Sequence, residues 1–259
     1  MDQALRVFRR DGECADLAAA FAPWAAAEHW LFLSPHDDDV LIGAGLWIQA
    51  LLARGAAVTV AIVTDGRMGY TDPAERDTIV ARRRAEADRA YQSIGLPPDA
   101  LSHLGFPDGS LSRHSGSSLE EGKAVGLDCA LTALMREQQP TRIVTTDATD
   151  WHPDHRATFE AARMSLFHAC GNIWSELGKP LDVQPSLYAF AVYAPLAAAP
   201  DFLIEATETP TARKLQALRE FSSQAAIIER LAHSARQEYL RQVPTSPFDA
   251  CTYRGLFPS

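Results

Sequence analysis

Two short segments concentrate the residues able to do chemistry. Ser34-Pro35-His36-Asp37-Asp38-Asp39 and Trp151-His152-Pro153-Asp154-His155 each set imidazole beside carboxylate. His36 and Asp39 are close enough in sequence to reach one ion from a tight loop, and His155, in the first turn of an expected helix, completes a His–Asp–His set. Three such ligands suit a zinc-like ion that keeps a fourth position for water. An ion of this kind acidifies the water and polarises a carbonyl, so the expected chemistry is metal-dependent hydrolysis. Asp38, beside the ligands without being one, is the candidate general base. His152 is placed to meet the tetrahedral intermediate, and Asp154 to orient His152 or His155.

Both segments must be held at one place by the fold. Each follows a short apolar run, Trp30–Leu33 and Ile143–Thr146, and each precedes a helical pattern. Helix is expected over Asp39–Ala53, with Gly43 and Gly45 tolerable only if it packs closely on a sheet. Strand is expected over Ala57–Val63, ending at Thr64-Asp65-Gly66-Arg67, and helix from about Ala74 to Ile94. Arg83 and Glu86 fall on the apolar stripe of that helix, where charge must be paired or face a polar cavity. Leu101–Leu111 carries a strand end and the loop Phe106-Pro107-Asp108-Gly109; Ser117–Glu121 has the pattern of a capping box opening the next helix. Strands over Tyr188–Tyr193 and Phe202–Ala206, a long amphipathic helix over Thr211–Gln242 and an irregular tail after Val243 complete the order. Strands alternating with helices predict a three-layer α/β fold with a mostly parallel sheet. Sites of such sheets lie at the C-terminal strand ends. One domain is expected over residues 1–259, its catalytic core spanning about 28–242.

Composition narrows the partners. A net charge of −9 disfavours nucleic acid and anionic membrane. No stretch reaches the ~20 apolar residues of a membrane span, and the N-terminal region lacks a signal-peptide pattern. Cys14, Cys129, Cys170 and Cys251 are scattered without a Cys-x-x-Cys, as expected of thiols in a reducing compartment. A cytoplasmic protein acting on a small molecule is the expectation. The long C-terminal helix is a candidate contact face for a homo-oligomer.

Pro35-His36-x-Asp38-Asp39 and His152-Pro153-Asp154-His155 resemble the two signature motifs of the LmbE-like, or PIG-L, zinc-dependent N-deacetylases. The resemblance runs from about Trp30 to Gln224 and includes Thr64-Asp65-Gly66, Arg83-x-x-Glu86, Leu104–Gly109 and Ser223-Gln224. It implies a Rossmann-like fold and removal of an acetyl group from N-acetylglucosamine or a related amino-sugar conjugate. By position, it implies His36, Asp39 and His155 as ligands of Zn2+, with Fe2+ as another candidate ion, Asp38 as base and His152 facing the oxyanion or leaving amine. It implies that Arg83 and Asp108 grip substrate hydroxyls or phosphate. Arg67, at the second strand's end, is a further pocket candidate from its position. Three positions depart from the family pattern: Asp37 for a usual proline, Val40 for a usual glutamate, and Asp150 where some members place a tyrosine.

Two other readings compete. A haloacid-dehalogenase-type phosphohydrolase would use an Asp-x-Asp within Asp37–Asp39, but needs a lysine at a later strand end. Lys123, Lys179 and Lys214 are not so placed. A non-catalytic sugar or metal binder of the same fold would be expected to have lost a ligand or the base, and none is missing.

Overall fold

Apolar runs alternating with amphipathic segments set strands and helices in layered order, and the computed structural model describes residues 4–231 and 235–245. Strands β1 (Leu5–Arg9) and β2 (Gly12–Glu13) and a helical turn, α1 (Leu17–Ala20), precede β3 (His29–Ser34), α2 (Asp39–Ala53), β4 (Ala57–Thr64) and α3 (Ile79–Ser93). Next come β5 (Leu101–Phe106), the hairpin strands β6 (Ser118–Glu120) and β7 (Lys123–Val125), α4 (Leu127–Gln138), β8 (Arg142–Thr146) and α5 (Pro153–Cys170). The chain continues through β9 (Ser186–Phe190), β10 (Phe202–Ala206), α6 (Glu208–Arg219), α7 (Ala225–Leu231) and β11 (Gln237–Val243).

Nine strands form one sheet in the order β2-β1-β10-β11-β9-β8-β3-β4-β5. Neighbours from β9 to β5 are parallel. Those from β9 out to β2 are antiparallel. The expected parallel layer is therefore present, with an antiparallel wing of equal extent beside it. Successive strands step one way from β3 to β5 and the other way from β8 to β9, so the order reverses between β3 and β8. Alternating side chains of β3 feed opposite faces, as strand geometry requires. Trp30 and Phe32 join a core with α2, α3 and α6. Leu31 and Leu33 join a second core with α4 and α5.

Helix α2 is buried at twelve of its fifteen positions, between the sheet and α6. Gly43 permits that approach: a Cβ there would lie 2.3 Å from Phe190 Cδ2 and 2.7 Å from the Ala191 carbonyl. The flank of α2 also admits a buried ion pair. The amides of Leu46 and Trp47 donate to the Glu238 carboxylate at 2.8–3.2 Å, and Lys214 Nζ donates to both Glu238 and the Ile42 carbonyl at 2.7 Å. Strand β11 and helix α6 thereby grip the helix whose first residue is Asp39.

Several elements differ from expectation. The capping-box pattern at Ser117–Glu121 lies in the β6–β7 hairpin, because Glu121 and Gly122 both have positive φ, 50° and 77°, as a tight two-residue hairpin turn demands. Helix α4 starts only after Gly126. The segment before α3 is a separate 3-10 turn, Pro73–Glu75. The long helix over Thr211–Gln242 is instead α6, a 3-10 turn at Ser222–Gln224, α7 and strand β11, so the contact face expected of it does not exist as one surface. β11 shows the period-2 burial of a strand at Glu238 and Leu240, and buries Val243 on the opposite face. Beyond residue 245 the tail lies outside the described residues, as does Cys251. Cys14, Cys129 and Cys170 are free thiols. Among the described residues no helix is long and apolar enough to cross a membrane.

The two glycines of α2 should separate in a denaturation series. Gly43→Ala is expected to lose about 1–3 kcal/mol through overpacking. Gly45→Ala, whose Cβ would make ordinary contacts at 3.5 Å with Leu41 and Lys214, is expected to be neutral or to gain up to about 1 kcal/mol of helix propensity. Equal urea midpoints for the two variants would contradict the packing described.

Candidate active site

The loops after β3, β4, β5 and β8 converge at the C-terminal ends of the parallel strands, with Tyr193 arriving from beyond β9. The centre sits where the strand order reverses, between β3 and β8, so the two helices that follow leave on opposite faces and open a crevice. Short backbone contacts fix the first loop. Thr64 donates through its amide and its hydroxyl to the Pro35 carbonyl at 3.0 and 2.8 Å, and Val40 donates to Ser34 Oγ at 3.2 Å. On the second loop Pro153 opens α5, where its fixed φ suits the first helical turn.

Asp39 lies at the middle of the cluster. Its Oδ2 accepts the His36 amide at 2.8 Å and stands 3.0 Å from both His36 Nδ1 and His155 Nε2. The two ring nitrogens are 3.2 Å apart. A tetrahedral ion with bonds of about 2.0 Å holds its ligand atoms roughly 3.3 Å apart, so this triangle has the edge lengths of a metal face. Asp39 Oδ1 is fully buried and accepts no hydrogen bond among the described residues, which leaves it for a cation as well. Burial alone would depress the His155 pKa, but Asp39 and Asp150 outweigh it and raise it to about 9. Positive charge is thus favoured where these nitrogens meet, and the donor set fits a divalent ion held by His36, Asp39 and His155. His36, His152 and His155 form a further grouping, with ligand atoms within 4.8 Å of one another.

Carboxylates hold the outer edges of both imidazoles. Asp108 Oδ1 is 3.0 Å from His36 Nε2, and Asp150 Oδ1 is 3.2 Å from His155 Nδ1. Partners of this kind fix ring orientation and raise ligand basicity. Asp150 is itself fixed by the amides of His152 and Tyr193 at 3.0 and 3.1 Å. Tyr193 stacks on His155 with centroids 5.2 Å apart. Burial and the surrounding carboxylates push its hydroxyl far above the usual tyrosine range, which keeps it a donor.

Asp38 occupies the N-cap position of α2, yet its side chain makes no capping bond. The carboxylate is buried and thus free of the role that an Asp before a helix usually plays. Burial pushes its pKa up to about 6, against the pull of Arg83. His152 does cap its helix: Nδ1 accepts the Asp154 amide at 3.2 Å. That bond assigns the proton to Nε2. Burial, and then the nearby His36 and His155, lower its pKa, so it is a neutral donor at pH 7.

Four residues sit differently from their expected roles. Asp154 does not orient His152 or His155; its two oxygens accept the amides of Gly109 and Leu111 at 2.6 and 3.1 Å, with Oδ2 3.6 Å from His36 Nε2. Asp108 supports His36 and accepts the Met68 amide at 3.1 Å, so its carboxylate is engaged with the protein. Arg83 is buried against Asp37, Nε to Oδ2 at 2.7 Å, while Glu86 bonds Arg82, Ser222 and Ser223 instead. Arg67 is half exposed at the rim and ion-paired with Asp65. Asp37, engaged by Arg83, is not the free nucleophile a phosphohydrolase would need, and Lys214 is committed to Glu238. Asp150 and Tyr193 were not legible as site residues: their relation to His155 depends on how the β9 loop folds back.

Fold and site define a layered α/β protein with a two-histidine, one-carboxylate cluster at a strand-order reversal. The chain belongs to the PIG-L family, described as GlcNAc-PI de-N-acetylase, whose pattern matches residues 31–166, just over half of it. It is similar to a 1D-myo-inositol 2-acetamido-2-deoxy-alpha-D-glucopyranoside deacetylase of Kineococcus radiotolerans, 28% identical over 166 residues, 55% of this chain and 45% of the relative. It is also similar to a probable N-acetyl-alpha-D-glucosaminyl L-malate deacetylase 2 of Bacillus cereus, 32% identical over 134 residues, 50% of this chain and 56% of the relative. The chain spans about half the length of the curated relatives it matches. The fold is shared with N,N'-diacetylchitobiose deacetylase from Pyrococcus horikoshii, at a TM-score of 0.72 and 24% identity over 90% of each chain.

Calorimetric titration with Zn2+ is expected to show one tight site, lost in His155→Ala. Asp150→Asn is expected to weaken binding by about 10–100-fold, the usual cost of removing a ligand's supporting carboxylate. Unchanged affinity in both variants would place the metal elsewhere.

Proposed function

We propose that this protein is a metal-dependent hydrolase that removes the N-acetyl group from an amino sugar or amino-sugar conjugate. The observation that carries the reading is the triangle of His36 Nδ1, Asp39 Oδ2 and His155 Nε2, with edges of 3.0–3.2 Å, beside an Asp38 carboxylate that caps nothing. Membership of the PIG-L family and the deacetylase names of the relatives support it.

His36, Asp39 and His155 would hold the ion; the two-nitrogen, one-oxygen set suits zinc and also accepts Fe2+. When bound, that ion supplies Lewis acidity, acidifying a water and polarising the amide carbonyl. Asp38 takes the proton as water attacks the carbonyl carbon. A carboxyl near pH 6 is matched to that task, being ionised at neutral pH and basic enough to accept. His152, neutral with its proton on Nε2, donates to the developing oxyanion or to the departing nitrogen. Transfer of the proton to that nitrogen breaks the C–N bond and gives acetate and the free amine. Asp108, Asp150 and Arg83 act through the groups they contact, as positioning residues. The substrate expected is a small sugar conjugate, with the whole chain working as one catalytic unit.

Asp38→Asn should retain its metal, measured by elemental analysis, while acetate release from N-acetylated amino sugars falls by about 10²–10⁴-fold. Undiminished turnover would remove Asp38 from the role of base.

A further inference from the structure

The odd residue of the first motif, Asp37, is placed to control substrate charge. Its carboxylate is 2% exposed and accepts Arg83 Nε at 2.7 Å; Arg83 Nη2 lies 3.6 Å from Asp38 Oδ1. The β4 loop closes over this guanidinium. A Cβ on Gly66 would lie 2.5 Å from Arg83 Nε and 2.7 Å from Asp37 Oδ2, and one on Gly69 would lie 2.1 Å from Arg83 Nη1. Gln224 holds that cover by donating to the Gly69 carbonyl at 2.7 Å. Arg83, 3% exposed, is therefore held at Nε and charge-compensated by Asp37, with Asp38 close by.

The surroundings point the same way. Asp37, Asp38, Asp39, Asp108, Asp150 and Asp154 are all buried around the centre, and a divalent ion together with Arg83 leaves them in excess. At the rim Arg67 is paired with Asp65, and Arg82 with Glu75 and Glu86. Arg156 donates Nη1 to the carbonyls of Asp150 and Trp151, both at 2.9 Å, and forms no ion pair among the described residues, which leaves it a cation an anion could use. The exposed apolar side chains next to the site, Met68 and Trp151, suit the face of an uncharged sugar.

We propose that Asp37, by occupying Arg83, makes this site select uncharged amino-sugar conjugates and reject those bearing a carboxylate or phosphate. The selection rests on the deacetylase reading above. Like charges brought together in a confined pocket are strongly discriminated against, and the effect is screened by salt.

The test compares kcat/KM for N,N'-diacetylchitobiose with that for N-acetylglucosaminyl L-malate, in the metal-loaded wild type and in Asp37→Asn. The wild type is expected to favour the uncharged compound by at least about tenfold, and added salt to narrow the gap. Asp37→Asn is expected to narrow or invert it by releasing Arg83. If that variant does not fold, the wild-type ratio and its salt dependence still decide. Equal or better turnover of the malate conjugate, lost in Arg156→Gln, would overturn the proposal and give the anion to Arg156. A folded Asp37→Asn that lowers both values equally would overturn it too. Hydrolysis of neither compound, nor of any N-acetyl sugar, would overturn the deacetylase reading and the selection with it.

Discussion

One carboxylate oxygen, Asp39 Oδ2, joins the two halves of the site. It meets His36 from its own loop and His155 from a helix more than a hundred residues later, each at 3.0 Å. No tolerance exists in that meeting, because all three groups are buried and each would be costly to leave without a partner. The rest of the fold can be understood as what makes the meeting possible. The reversal of strand order between β3 and β8 opens the crevice. Gly43 lets α2 lie against β9, and the Glu238–Lys214 pair grips that helix mid-length from the antiparallel wing.

Charge balance is the second constraint. Six buried aspartates around one point would repel one another and favour protonation unless cations and amides answer them. The structure answers each in a different way. Asp37 has Arg83, Asp39 has the imidazoles, Asp108 has His36 and the Met68 amide, Asp150 has two amides and His155, and Asp154 has two amides. Asp38 has no hydrogen-bonded answer among the described residues, and burial raises its pKa against the pull of Arg83. The proposed base is distinguished from its neighbours by what it lacks, not by its sequence.

That distinction marks how far the sequence could be read. The strand–loop–helix units at β3–α2 and β8–α5 were legible because their signals are local: an apolar run, a motif, then a helix start. Their spacing, with the strand-end position of both loops, pointed to His36, Asp39 and His155 as one set. The hairpin at β6–β7 defeated a capping pattern because a positive-φ Glu-Gly pair decides the turn. Strand β11 is masked in the sequence because its inward Glu238 breaks the apolar alternation, and its partners, Lys214 and the Leu46 and Trp47 amides, lie on other elements. Asp150, Tyr193 and the reassignment of Asp108 and Asp154 all depend on contacts across loops, which no local pattern encodes. The placement of Arg83 on an apolar stripe did signal a buried partner, but its identity as Asp37 needed the fold.

Hydrolysis at this site is proposed to depend on a cation held at the Asp39 cluster. The direct measurement is acetate release from N-acetylated amino sugars by protein stripped with a chelator, then titrated with Zn2+. Activity absent in the stripped protein and restored in full at one equivalent per chain is the predicted result. Full activity in protein shown to hold no metal, or none at any added metal, would contradict it.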